Sequence, residues 1–124
     1  MSRILIIEDD PAALALARDV LKQAGHTVDT AEGGEEGRKI IEKNRPELLV
    51  LDLSLYDDFG LDICRDVKRD HPGILVFILT ALGNSLDVVA GLEAGADDYL
   101  AKPFNPREFV ARIQMTLQKA GKAS

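Results

Sequence analysis

Unbroken runs of aliphatic residues recur along the chain and predict strands that are buried on both faces. The clearest run covers residues 48–51 and ends at Asp52. A strand with one solvent-facing side alternates apolar and polar positions, so a continuous run is typical of a parallel sheet covered on both sides. Further strands are predicted at residues 3–7, 27–31, 75–79 and 98–101.

Segments with apolar residues at three- and four-residue spacing separate these strands and predict helices. The first helix begins at Asp10-Pro11, an N-cap followed by proline, and ends at Gly25. Between the second and third strands, three glycines weaken the start of a helix that we expect to recover only over residues 38–43. Further helices are predicted between Gly60 and Pro72, over residues 85–94, and from Asn105 onward.

The regular alternation of strand and helix predicts an α/β fold with three layers. Right-handed crossovers between successive strands make the five-stranded sheet parallel and place the five helices on its two faces. We expect the strand order 2-1-3-4-5 from the precedent of flavodoxin-like sheets. A chain of 124 residues is enough for one domain, with about residues 120–124 as a tail or the start of a linker.

Charge and cysteine content narrow the range of partners. The formal net charge is −6, and nucleic acids and anionic lipids are bound by dense Lys and Arg, so we expect protein partners rather than nucleic acid or membrane. The single cysteine cannot form an internal disulfide. The apolar stretch near the start of the chain is too short for a signal or transmembrane segment. We therefore expect a cytoplasmic protein.

Polar and charged side chains follow four of the five predicted strands. Since the carboxyl ends of parallel strands share one edge of the sheet, we expect these side chains to meet there. Clustered carboxylates raise one another's pKa unless a cation lies between them, and Mg²⁺ prefers such oxygen ligands. The set suits phosphoryl transfer to a carboxylate, and its members are Glu8, Asp9, Asp52, Thr80 and Lys102.

These residues lie in motifs that resemble those of a known family. Glu8-Asp9, Asp52 followed eight residues later by Gly60, Thr80-Ala81 and Lys102-Pro103-Phe104 resemble the receiver domain of two-component response regulators, which has a CheY-like, flavodoxin-like fold. The resemblance covers nearly the whole chain. Residues 95–99 and 102–108 are most similar to receivers of winged-helix (OmpR/PhoB-class) transcriptional regulators.

The resemblance implies a function for the strand-end residues. Asp52 is expected to accept a phosphoryl group from the phosphohistidine of a sensor histidine kinase or a phosphotransfer protein. Mg²⁺ is expected to be held by Glu8, Asp9, Asp52 and the backbone carbonyl of Ser54. The implied role is regulatory rather than enzymatic, because such a domain assists only its own phosphorylation and dephosphorylation and controls an output such as transcription.

The resemblance also implies how the phosphoryl group changes the surface. Thr80 and Lys102 are expected to contact the aspartyl phosphate, and the Lys102-Pro103 bond is expected to be cis. Tyr99 is expected to move from an exposed to a buried position as the face formed by the fourth helix, fifth strand and fifth helix changes shape. Ordinary packing of Tyr99 is an equally open explanation.

Receivers of this class form homodimers through the same face when they are phosphorylated. The residues expected at such an interface here are Glu93, Asp97, Glu108 and Arg112. The family usually has an arginine at the position of Ala90, so we expect only a weak dimer. Glu108 and Arg112 are also spaced to pair along one helix, which explains them without an interface.

Two further departures from the family concern the chemistry. Tyr56 stands where the family commonly has proline, and Asp57 and Asp58 are expected to add negative charge to a loop near the metal. Leu82 is apolar where some relatives have a polar group that orients the hydrolytic water. Because of Leu82, we expect slow loss of the phosphoryl group.

Two other functions remain open on the residues alone. A Mg²⁺-dependent phosphohydrolase that forms an aspartyl phosphate also places Asp after a central strand, but it typically has a second Asp where this chain has Ser54. A flavodoxin-like electron carrier needs a phosphate-binding loop after the first strand, and the acidic loop here would repel a phosphate.

Three residues are assigned no role: Cys64 is expected to be buried, and His26 and His71 to be solvated.

Overall fold

The computed structural model describes residues 2–81 and 85–121, and strands alternate with helices throughout. The elements are β1 (Arg3–Ile7), α1 (Pro11–Gln23), β2 (Thr27–Ala31), α2 (Gly34–Lys43), β3 (Leu48–Asp52), α3 (Gly60–Asp70), β4 (Leu75–Ala81), α4 (Ser85–Glu93), β5 (Asp98–Lys102) and α5 (Pro106–Lys119). All strand pairs are parallel, in the order β2-β1-β3-β4-β5, which confirms the predicted fold and strand order. Within the described ranges, none of the helices has the length and apolar content needed to cross a membrane.

Alternate residues of the central strands contribute to two separate cores, one on each face of the sheet. Leu48 and Val50 pack in the core that contains α1 and α5 residues such as Phe109. Leu49 and Leu51 pack in the other core with residues of α2 and α3. All five residues of β3 are buried, which is why its sequence is a continuous apolar run rather than an alternating one.

Helix α2 begins at Gly34, four residues earlier than predicted from the sequence. A carboxylate from a distant loop caps its N-terminus, since the backbone N–H groups of Gly34 and Glu35 donate to Asp57 at 2.8 and 3.2 Å. A Cβ atom at position 37 would lie 2.3 Å from Cδ1 of Ile7, so Gly37 allows the helix to approach β1. Both contacts offset the weak helix propensity of the glycines.

The prediction for the cysteine is confirmed, and the prediction for the two histidines is wrong. Cys64 is buried on α3. His71 has only 11% of its side chain exposed and lies 3.2 Å from a carboxylate oxygen of Glu42. The Nδ1 atom of His26 accepts from the backbone N–H of Ser2 at 3.4 Å, and burial lowers the pKa of His26. Both rings pack against neighbouring segments that the local sequence does not identify.

Candidate functional site

The carboxyl edge of the sheet brings together the strand ends that the sequence pattern identifies. Asp52 is the last residue of β3 and lies in register with Leu79, one residue before Thr80. Lys102 is the last residue of β5 and lies in register with Ala81. Glu8 directly follows β1, and its backbone N–H donates to Ala31 at 3.0 Å, which extends the β1–β2 ladder to this edge.

Three carboxylates converge at this edge. Glu8, Asp9 and Asp52 each place an oxygen within 4.8 Å of the others. Glu8 is 0% exposed and Asp52 is 2% exposed, while Asp9 is half-buried. Each accepts one hydrogen bond from a nearby backbone N–H: Glu8 from Asp10 at 3.3 Å, Asp52 from Ser54 at 3.1 Å and Asp9 from Tyr56 at 3.1 Å.

The ammonium group of Lys102 lies between two of these acids. Its Nζ is 2.7 Å from Oε1 of Glu8 and 3.4 Å from Oδ2 of Asp52. Burial alone would lower the pKa of Lys102, but the two carboxylates outweigh it and raise this pKa above its usual value. The pKa of Glu8 is raised to about 7, because burial and the neighbouring Asp52 together outweigh the opposing effect of Lys102.

Thr80 supplies a buried hydroxyl group at the same edge. The residue is 2% exposed, and its Oγ1 has no hydrogen-bond partner within residues 2–81 and 85–121. A buried polar atom without a partner is costly, so it is expected where a ligand completes its hydrogen bonding. Convergent carboxylates of this kind fit a hard cation such as Mg²⁺, since all of their ligand atoms are oxygens.

The other predicted site residues lie on β5 and on the segments of the chain that follow β3, β4 and β5. Tyr99 is on β5 with 38% of its surface exposed. Ser54 forms an isolated antiparallel bridge with Phe59, and the bond between Lys102 and Pro103 is cis. Leu82, on which the expectation of slow phosphoryl loss depends, lies outside the described residues.

The loop between β3 and α3 contains contacts that sequence reasoning missed. Asp57 faces the N-terminus of α2, whose backbone N–H groups lower the pKa of this carboxyl. Asp58 pairs with Arg38, with its Oδ2 2.8 Å from Nε. These contacts hold both acids in place, and the expectation that the two acids add negative charge near the metal stays a prediction. Their partners lie at least 20 residues away, and no local motif indicates them.

A sequence profile of the response regulator receiver domain matches residues 4–114. The transcriptional regulatory protein AfsQ1 of Streptomyces coelicolor is 40% identical over 124 residues, which is all of this chain and 55% of that protein. The alkaline phosphatase synthesis transcriptional regulatory protein PhoP of Bacillus subtilis is 37% identical over 95% of this chain and 49% of its own length. This chain thus spans about half the length of the curated relatives it matches.

Solved structures of receiver domains also superpose on this chain. A CheY-like receiver domain protein from Methanospirillum hungatei superposes with a TM-score of 0.92 at 32% identity, and the match covers 98% of both chains. The receiver domain of DrrB, activated with BeF3, superposes with a TM-score of 0.86 at 37% identity over 95% of this chain and 98% of that one. The likeness therefore extends over the whole sheet and its helices.

Proposed function

Because the chain belongs to the response regulator receiver domain family, we propose that it acts in a two-component system as a phosphoacceptor. Asp52 takes a phosphoryl group from the phosphohistidine of a sensor histidine kinase or a phosphotransfer protein. An Asp52 carboxylate oxygen attacks phosphorus, the P–N bond breaks, and its electron pair returns to the imidazole nitrogen of the donor. The products are an aspartyl phosphate on this chain and a free histidine on its partner.

The strand-end residues have separate roles in this transfer. Glu8, Asp9 and Asp52, with the backbone carbonyl of Ser54, would hold Mg²⁺, which when bound neutralises charge on the transferred oxygens. The ammonium of Lys102 forms a charge-assisted hydrogen bond to the phosphoryl group. The hydroxyl of Thr80 donates to another phosphoryl oxygen and so gains a partner that it lacks among the residues the structure describes.

The position of Asp52 is the observation that carries this proposal. Its carboxylate is at the end of the central strand, almost fully buried, and 3.4 Å from the only ammonium group that the cluster described above contains, that of Lys102. A phosphohydrolase of the alternative type typically has a second Asp two residues further on, and in this chain that residue is Ser54. We therefore favour a domain that accepts and holds a phosphoryl group over an enzyme that repeatedly hydrolyses a substrate. In this proposal the domain assists only its own phosphorylation and dephosphorylation.

Incubation with acetyl phosphate or phosphoramidate and Mg²⁺, followed by intact mass measurement, tests the proposal. We expect one phosphate to add to the wild-type chain and none to Asp52→Asn. The matched control is Asp10→Asn, because Asp10 caps α1 by accepting from Ala13 and Asn is an equally good cap. Phosphorylation of Asp52→Asn at the wild-type level would refute the assignment.

We further propose that this single receiver module controls an output, attached or separate, through the face formed by α4, β5 and α5. The names of several relatives describe transcriptional or DNA-binding regulators, which supports transcription as that output. In this proposal the module itself binds neither DNA nor membrane, and it meets its kinase in the cytoplasm. Thr80 and Tyr99 are the residues that respond to phosphorylation.

A further inference from the structure

Tyr56 makes a contact with the candidate metal site through its backbone. Its N–H donates to Oδ2 of Asp9 at 3.1 Å, across 47 residues of sequence. Its side chain is 77% exposed. Proline, which the family commonly has at this position, has no N–H and could not make this bond. The contact can therefore form in this chain because residue 56 is not proline.

The two residues after Tyr56 hold this part of the loop in place. Asp57 accepts from Gly34 and Glu35 at the start of α2. Asp58 pairs with Arg38, which also reaches Asp66 on α3 at 2.7 Å. The loop is thus fixed to α2 immediately beyond the N–H group that contacts Asp9, and Arg38 links this attachment to α3, so the N–H has a defined direction.

We propose that the backbone N–H of Tyr56 is a positioning group that orients the Asp9 carboxylate for Mg²⁺. The proposal rests on the proposed function, in which Asp9 is one of the ligands of that ion. A hydrogen bond to one carboxylate oxygen restricts rotation of the side chain and leaves the other oxygen available. Asp9 already lies within 4.8 Å of Glu8 and Asp52 while it accepts this bond, so the bond holds it in the convergent arrangement.

The test compares two substitutions at one position. Tyr56→Pro removes the N–H, whereas Tyr56→Ala removes the exposed ring and keeps the N–H. Groups that orient a metal ligand typically change metal affinity by about tenfold or more when they are lost. By isothermal titration of the chain with MgCl₂, we expect Tyr56→Pro to bind about tenfold more weakly than wild type and Tyr56→Ala to bind within about twofold of it.

The outcomes separate this inference from the proposed function. If wild type binds Mg²⁺ and Tyr56→Pro binds as tightly as Tyr56→Ala, the positioning role is wrong and the phosphoacceptor role stands. Equal weakening by both substitutions also overturns the inference, because it assigns the effect to the ring. If wild type binds no Mg²⁺, the proposed function itself fails.

A second measurement avoids the risk that the proline variant does not fold. Amide hydrogen exchange at Tyr56 reports the same bond without changing Tyr56. We expect exchange to be at least about tenfold faster in Asp9→Ala than in wild type, because the acceptor is gone. Equal exchange rates in the two proteins would show that the bond does not form in solution and would overturn the inference.

Discussion

At the residue scale, the site depends on a carboxyl group that is buried among other charges. Glu8 has no exposed surface, and Asp52 and Asp9 both place oxygens within 4.8 Å of it. Lys102 lies 2.7 Å from Glu8 and compensates part of this charge. Burial of a charge is costly unless it is paired, so this edge of the sheet gains stability from any added positive charge.

The raised pKa of Glu8 predicts how stability depends on pH without Mg²⁺. The folded chain keeps a proton on Glu8 up to about pH 7, whereas an unfolded chain releases it near 4.5, so stability is lost as pH rises through that window. We expect the free energy of unfolding, from urea titrations in EDTA, to fall between pH 5 and 7, by about 3 kcal/mol at most. Glu8→Gln should flatten this decrease.

The exposed residue Glu93 provides the control for this experiment. Glu93→Gln also removes one carboxyl group, but from the surface of α4, so it should leave the pH dependence of wild type unchanged. If Glu8→Gln and wild type lose the same stability between pH 5 and 7, the buried carboxyl is not the cause.

Some residues of the site can be predicted from the sequence, and others cannot. Glu8, Asp52 and Lys102 could be predicted because each stands at the end of a predicted strand, and parallel strands end at one edge. Asp57 and Arg38 could not, since their contacts depend on how a loop and a distant helix meet in space. Strand ends are fixed by topology, whereas loop contacts are fixed by packing.

At the element scale, the start of α3 packs directly on the end of β3. A Cβ atom at Gly60 would lie 2.6 Å from Cα of Leu53 and 2.7 Å from the backbone oxygen of Asp52. Backbone atoms cannot rotate away as a side chain does, so Gly60→Ala must push the helix and the strand end apart. We expect a loss of about 2–3 kcal/mol in the free energy of unfolding and slower phosphorylation at Asp52.

Gly73→Ala is the matched control, because nothing lies within 4 Å of a Cβ atom at that position. Its free energy of unfolding should stay within about 0.5 kcal/mol of wild type. Chemical denaturation and the rate of acetyl phosphate labelling are measured on all three proteins. A Gly60→Ala variant as stable and as reactive as Gly73→Ala would contradict the close packing.

Most element starts match the sequence prediction, and the start of α2 is the exception. The bounds of β1 and β3 match their predicted ranges because these buried strands are almost wholly apolar, and the bounds of β2 match although it is a partly exposed edge strand of mixed sequence. Helix α2 was predicted too short, because its first turn depends on a cap from Asp57, which lies in another segment. Local propensity does not include such a contact.

At the scale of the whole molecule, the face of α4, β5 and α5 combines exposed apolar side chains with charges that are already paired. The exposed apolar residues of this face include Leu86, Val89, Leu92, Tyr99 and Met115. Arg112 lies 3.1 Å from Glu108 and 3.3 Å from Asp98, and Lys68 lies 3.2 Å from Asp97. Apolar area thus favours association through this face, but a cross-dimer ion pair must compete with contacts inside one chain.

These opposing features predict a weak dimer in the activated state. In sedimentation velocity with beryllofluoride and Mg²⁺, we expect a dimer dissociation constant of about 100 μM or weaker, which is about 5.5 kcal/mol of association free energy or less. Ala90→Arg restores the cation that the family usually has and gives Glu108 a partner across the interface. It should tighten the dimer about tenfold, whereas Gln23→Arg adds the same charge on α1 and should not. A wild-type dimer that persists at micromolar concentration would mean that the apolar residues of this face are sufficient without that ion pair.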